Sequence, residues 1–299
     1  MFPHFNLFLT MIKYSIIICS YNRFELLIST VESILSVLKE RLDLEILIID
    51  NNSTDQTPCL EKKYRSNKLI KYFRENEQGL SNARNRGLKE ATGEILIYLD
   101  DDIELVDNYF EICDQAFSNP LISISGGKVL PYKINIPKWL PLKYYYLVSV
   151  FDLGDSPKTV KYLMGGNFSI RRIAALQIGL YNINLGRYAK TLSGGEEIEF
   201  QNRATELGYK IYYNPNQNIL HKINDKLNKK YVLAYSEELG KSEKIIDKSY
   251  SQIKVIKKYI KSYISIIAYP LLFELITDPK KKFYLRIIRQ YGKGYIKSV

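Results

Sequence analysis

Gly93 to Asp102 reads GEILIYLDDD, and the reading of this stretch decides the fold. Ile95, Leu96, Ile97, Tyr98 and Leu99 form a short apolar run with the length and composition of one buried strand. Asp100, Asp101 and Asp102 follow without a spacer. A strand that ends in clustered acids brings charge to the rim of an open α/β sheet, where ligands of such sheets bind. Adjacent aspartates repel one another unless a cation or several hydrogen-bond donors neutralise them. Their hard oxygens suit Mg²⁺ or Mn²⁺ shared with phosphates. Taken alone, the pattern equally describes a solvated acidic turn after a strand.

Working outward, the run Tyr14-Ser-Ile-Ile-Ile-Cys19 reads as a buried first strand closed by Ser20, Tyr21, Asn22 and Arg23. Asn22 with Glu25 three residues on predicts a capping box, ahead of Leu26, Leu27, Ile34, Leu35 and Leu38 at helical spacing. Leu44 to Ile49 is a second strand that also ends in polar residues, Asp50 and Asn51 leading. A short third strand is expected at Leu69 to Phe73, then a helix over 79–93 that Gly93 would terminate. Strand and helix alternating in this way is the mark of a mostly parallel, Rossmann-like α/β sheet with flanking helices. Ser20–Asn22, Asp50 and Asp100–Asp102 then share one rim. Neither G-x-G-x-x-G nor G-x-x-x-x-G-K-[ST] occurs, so a bound diphosphate would need a metal for neutralisation.

SIIICSYNR, LIIDNNSTDQT and GLSNARNRGLKEATGEILIYLDDD, in this order and spacing, resemble the nucleotide-binding half of a family 2 glycosyltransferase of the GT-A fold. Residues 13–225 carry the similarity. GGNFSIRR, from Gly165 to Arg172, resembles the family's glycine-containing segment near acceptor and sugar, and GGEEIEFQNRATELGYKIYYNP, 194–215, its acidic motif with the following helix and strand. Without the resemblance, the glycines would make a plain turn, and Glu196 and Glu197 would be first-turn acids against the helix dipole.

The resemblance implies an inverting, metal-dependent transfer of a sugar from a nucleoside-diphosphate donor to a hydroxyl of a glycan or lipid-linked acceptor, in surface-polysaccharide synthesis. It implies an Asp-Xaa-Asp motif in which Asp102 is the first metal ligand, with Asp100 and His221 completing the Mn²⁺ or Mg²⁺ site. Asp100 and Asp101 would also hold the ribose. The family's Glu-Asp pair is Glu196-Glu197 here, so Glu197 is the expected base and Glu196 the reserve. Nucleoside contacts are expected from Ser20, Tyr21, Asn22, Arg23, Asp50 and Asn51, diphosphate contact from Arg84, and acceptor or sugar contact from Gly165, Gly166 and Asn167. A residue such as His221 is as readily structural as metal-binding.

The net charge of +11 is unevenly placed: residues 241–299 hold 14 Lys and Arg against 4 Asp and Glu. A basic end points to anionic partners, lipid headgroups before nucleic acid. The apolar stretch Tyr263 to Ile276, broken by Pro270 and Glu274, is too short to span a bilayer and fits an interfacial helix pair, or one packed on the catalytic part. Cys19, Cys59 and Cys113 lack metal-type spacing and point to a reducing cytosol. MFPHFNLFLT at the N-terminus does not make a signal peptide. The expected site of action is therefore cytoplasmic, at the inner face of the plasma membrane. The organisation expected is a leader at 1–12, a nucleotide-sugar half at 13–115, an acceptor and catalytic half at 116–225, and a helical basic extension at 226–299. Two other classes fit parts of the chain. A GT-A-like sugar nucleotidyltransferase would carry a glycine-rich basic loop after the first strand, where SYNRFELL stands. A non-catalytic nucleotide- or nucleic-acid-binding protein would leave the acidic strand end unexplained.

Overall fold

The computed structural model describes residues 12–189 and 191–298. Residues 1–11 of the expected leader, His4 among them, lie outside the described residues. The chain opens with β1 (Tyr14–Ser20), α1 (Phe24–Val37), β2 (Leu44–Asp50), α2 (Cys59–Tyr64), β3 (Ile70–Arg74), α3 (Leu80–Glu90) and β4 (Ile95–Leu99). There follow β5 (Ile103–Leu105), α4 (Tyr109–Ser118), β6 (Ile124–Gly126), β7 (Val129–Pro131), a 3-10 helix at Leu142–Val148, β8 (Lys158–Val160), β9 (Asn167–Arg171) and α5 (Arg172–Ile178). The chain continues through α6 (Glu196–Glu206), β10 (Ile211–Tyr213), β11 (Ile219–His221), a 3-10 turn at Asn224–Lys226, α7 (Lys229–Tyr250), α8 (Gln252–Leu275) and α9 (Pro279–Lys297).

Eight strands form one sheet in the order β3-β2-β1-β4-β9-β6-β10-β8. β3, β2, β1 and β4 run parallel, with Ser20 registered against Asp50 and Ile18 against Leu99. β9 is antiparallel to both neighbours, and the sheet is mixed from there on. The near-continuous apolar runs of β1, β2 and β4 reflect burial on both faces. Their carboxyl ends therefore meet at one rim, as expected of the Rossmann-like half.

A second sheet, β5-β11-β7, stands beside this rim. In it β11 pairs antiparallel with β5, His221 opposite Ile103, and the Lys222 N–H donates to the Asp102 carbonyl at 2.8 Å. That pairing carries His221 to the acidic strand end.

Two local expectations are corrected. Asn22 does not cap α1: it adopts φ 53° and its Oδ1 accepts from the Thr54 N–H at 2.7 Å, while Asp55 Oδ2 takes the Phe24 N–H at 3.0 Å. A carboxylate from the next loop thus caps the helix, and Glu25 stays exposed. Gly93 does not end α3, which stops at Glu90 as Ala91 turns extended. A Cβ on Gly93 would lie 2.6 Å from the Ser15 amide nitrogen, so the glycine serves close packing against β1.

The aromatic segment before β8 resolves largely into core. Leu140, Tyr144, Leu147 and Val148 join Val232 of α7 and Phe283 and Ile287 of α9 in a second apolar cluster. Trp139 meets Phe283 edge-on at 5.1 Å. Asn228, Ser251 and Asp278 cap α7, α8 and α9 through their side chains. Among the described residues, no helix is long and apolar enough to cross a membrane.

Candidate active site

A cleft of about 540 Å³ opens at the rim and is walled by residues from both halves of the large sheet and from α7. Its acidic side is the end of β4. Asp101 is buried, accepting from Ser20 Oγ at 2.6 Å and from Arg23 Nη1 at 2.7 Å. Arg23 Nη2 donates to Asp102 Oδ2 at 2.6 Å, so one guanidinium bridges two carboxylates. His221 Nε2 lies 2.6 Å from Asp102 Oδ1 and 3.8 Å from Asp100 Oδ2. Lys226 adds its ammonium at 3.4 Å from Asp102 and 3.1 Å from His221 Nε2. Burial alone would raise the Asp102 pKa; His221, Lys226 and Arg23 outweigh it and hold the carboxyl well below the usual range. Asp101 is pushed up to about 6 by burial, against the pull of Arg23.

Asp100, Asp102 and His221 each offer one ligand atom, all within 4.8 Å of one another. Two hard carboxylates with an imidazole suit Mn²⁺ or Mg²⁺. Lys226 places a positive charge against two of these three groups, the charge that a divalent ion would supply there. The residues present therefore fit a divalent cation.

Two consecutive glycines tie the acidic side to the opposite wall. A Cβ on Gly166 would run into the Asp100 carboxylate, and one on Gly165 would lie 2.8 Å from Arg84 Nη2 and 3.2 Å from Glu197 Cβ. The glycines make room for the site's own side chains rather than for a generic turn. Glu197 and Asp100 thus flank one two-glycine strip.

α6 opens with Glu196 and Glu197 at its N-terminus, but the two carboxylates differ in environment. Glu196 is locked in a buried ion pair with Arg84 of α3, Oε1 to Nη1 2.6 Å. Glu197 is half-buried in the cleft wall, and desolvation together with the neighbouring Glu196 charge pushes its pKa up to about 8, against Arg84. Truncating one partner of a buried pair leaves the other charge uncompensated. Glu196→Ala is accordingly expected to cost about 3–5 kcal/mol of stability, read as a lowered urea midpoint at unchanged slope.

Several expected ligand contacts turn inward. Asp50 is fully buried, accepting from the Ser53 N–H at 2.8 Å and from Tyr72 Oη at 2.5 Å. Asn167 is fully buried and does not line the cleft: its Oδ1 accepts from Tyr109 Oη, and its Nδ2 donates to the carbonyls of Lys128 and Gln217. Asn22 lies in the loop contact described above, outside the cleft lining. Arg84 lines the cleft, but its charge is committed to Glu196. Asn51 lines the cleft while its amide bridges the Glu77 carbonyl and the Gly79 N–H. Ser20, Tyr21, Arg23, Asp100, Asp101, Asp102, Gly165, Gly166, Glu196 and Glu197 all line it. His221, packed behind Asp102, does not itself appear in the lining.

The cleft also recruits residues that sequence reasoning missed. Lys226 is one. Arg187 donates from Nη2 to Tyr231 Oη at 3.0 Å, and Tyr231 and Tyr235 bring the first turns of α7 into the wall. Lys226, Tyr231 and Tyr235, from the stretch expected to form a helical basic extension, thus line the cleft. The tyrosine-rich start of α7 was the only signal, and composition alone did not point it at the cleft.

A family model described as "Glycosyl transferase family 2" matches residues 15–179. The chain is 26% identical, over 95% of each sequence, to a glucosyl-dolichyl phosphate glucuronosyltransferase of Haloferax volcanii. Over 129 residues, 42% of this chain and 41% of the other, it is 31% identical to the GalNAc(5)-diNAcBac-PP-undecaprenol beta-1,3-glucosyltransferase of Campylobacter jejuni. Its fold is similar to that of a mannosyltransferase from Pyrobaculum calidifontis in complex with GDP-Man and Mn²⁺ (TM-score 0.64, 13% identity, 94% of this chain and 85% of that one). The sheet order, the acidic rim and the wall carrying Glu197 together make the GT-A architecture. With the family model covering more than half of its length, the chain belongs to glycosyl transferase family 2 and is a glycosyltransferase.

Proposed function

We propose that the cleft transfers a sugar, with inversion, from a nucleoside-diphosphate donor to a hydroxyl of a lipid-linked or glycan acceptor. The observation that carries this reading is the pair of unlike acidic groups flanking Gly165 and Gly166. The cluster of Asp100, Asp102 and His221, in which the Asp102 carboxyl is held well below the usual range, stands on one side, and the raised Glu197 carboxyl on the other. A divalent cation held by Asp102, Asp100 and His221 would supply positive charge to the departing diphosphate. Arg23 keeps Asp101 and Asp102 oriented for this task, and Ser20, Tyr21 and Asn51 form the floor on which a nucleoside would rest. Glu197 accepts the acceptor hydroxyl's proton as the new C1–O bond forms and the C1–O bond to phosphate breaks. Arg187, Tyr231 and Tyr235 line the part of the cleft left for sugar and acceptor.

A lipid-linked acceptor is favoured by the two relatives named above, whose names specify dolichyl phosphate and undecaprenol diphosphate carriers. Such an acceptor brings the enzyme to the cytoplasmic face of a membrane, and the basic C-terminal region is the part suited to contact it. The reading is tested by calorimetric titration with UDP, GDP and dTDP, each with Mn²⁺ and with EDTA. Metal-dependent binding of one nucleotide is the expected result. Failure of all three to bind in the presence of Mn²⁺ would overturn the donor site.

A further inference from the structure

We propose that α8 is a membrane-docking helix: its unpartnered apolar face lies in the surface of an anionic bilayer. The inference rests on the membrane-contact reading above and assigns that contact to one face. Ile253, Ile256, Ile260, Ile264, Ile267, Leu271 and Leu275 recur at spacings of three and four residues, the pattern of one helix stripe. Each is between 54% and 79% exposed, so the whole stripe faces outward. At 1.5 Å per residue it runs for about 33 Å.

The opposite side of α8 already has its partner. Ser262 is buried, and a Cβ on Gly292 of α9 would lie 2.7 Å from Ser265 Oγ. Tyr269 stacks under Arg289 at 4.3 Å, and Phe273 under Lys282 and Arg286. α9 in turn packs on α7, whose first turns wall the cleft. The outward stripe is therefore not a consequence of a loosely attached helix.

Charge identifies the occupant. Lys254, Lys257 and Lys261 repeat along one flank of the stripe, and Lys280 and Lys281 follow beyond its end. All five are exposed, and none forms an ion pair among the described residues. Residues 252–299 carry a net charge of +9. A second copy of the chain would bring two such surfaces together and be repelled, whereas anionic headgroups are attracted. An apolar stripe edged by lysines, on a helix that does not cross the bilayer, is the pattern of a helix lying in the interface plane.

The test is flotation of the full chain with phosphatidylglycerol–phosphatidylcholine vesicles and with pure phosphatidylcholine vesicles, alongside the nucleotide titration. The native chain is expected to float with the anionic vesicles only, and less in high salt. The double variant Ile260→Glu, Ile267→Glu should lose at least about tenfold in vesicle affinity and keep nucleotide affinity. The triple variant Lys254→Gln, Lys257→Gln, Lys261→Gln should lose roughly 100-fold, from about fivefold per lysine. If the native chain floats and both variants float equally, the α8 face is the wrong surface while membrane contact stands. If the native chain floats with neither vesicle, the docking proposal fails together with the membrane-contact reading, and the nucleotide titration still judges the donor site by itself. A stable native dimer that the isoleucine variant turns into monomer, without flotation, would assign the stripe to a second copy and overturn the proposal.

Discussion

Glu197→Gln is expected to lower kcat by about 10²–10⁴-fold while leaving metal-dependent nucleotide affinity nearly unchanged. The amide keeps the volume and removes only the capacity to take a proton. Glu196 is not expected to substitute, because its Oε1 is already committed to Arg84 Nη1 at 2.6 Å. In the free enzyme the Glu197 carboxyl is pushed up to about 8, so the basic form gains population as pH rises to that value. kcat/KM should therefore climb with pH and level off above about 8, following free-enzyme ionisation. Stability runs the other way. A carboxyl raised on folding from an ordinary value of 4.5 holds a proton that the unfolded chain releases, so its contribution is fully present below 4.5 and lost as pH rises through about 8. In the glutamine variant the rate limb near pH 8 should disappear and the pH dependence of stability flatten over the same range. A rate that keeps the native pH profile in Glu197→Gln would assign the base elsewhere.

Asp102→Asn should weaken Mn²⁺-dependent nucleotide binding by roughly 100-fold or more, exceeding the loss typical of a residue that only supports a ligand. Among the described residues, Asp102 is the one carboxylate that meets Arg23, His221 and Lys226 together, and it is almost wholly buried. Its replacement would take away the proposed metal donor and leave Arg23 and Lys226 facing a neutral amide. The second effect gives the prediction an independent readout. Metal-free Asp102→Asn should unfold at a lower urea concentration than the native chain, because buried cations lose their counter-charge. Native-like Mn²⁺ dependence of nucleotide binding in this variant would remove Asp102 from the metal site.

The chain by itself determined those features that depend on neighbours in sequence. The β-branched runs that make β1, β2 and β4 announce buried parallel strands, and strand–helix alternation places Ser20 and Asp100–Asp102 at one rim, because side-chain period and crossover handedness are local rules. The acidic start of α6 and the basic charge of the last fifty residues are legible for the same reason. Tertiary structure decided which of these residues line the cleft. Arg84 reaches Glu196 across 112 positions and thereby separates two adjacent glutamates into an ion-paired residue and a candidate base. The pairing of β11 with β5 sets His221 on Asp102 across 119 positions, and Lys226 arrives by the turn after it. Asp50 and Asn167, polar residues at strand ends, turned inward because Tyr72, Tyr109 and Gln217 offered them hydrogen bonds. Whether a polar side chain meets a ligand or a protein partner depends on what distant segments bring to it, and burial enforces that choice because an unpaired polar group inside is costly.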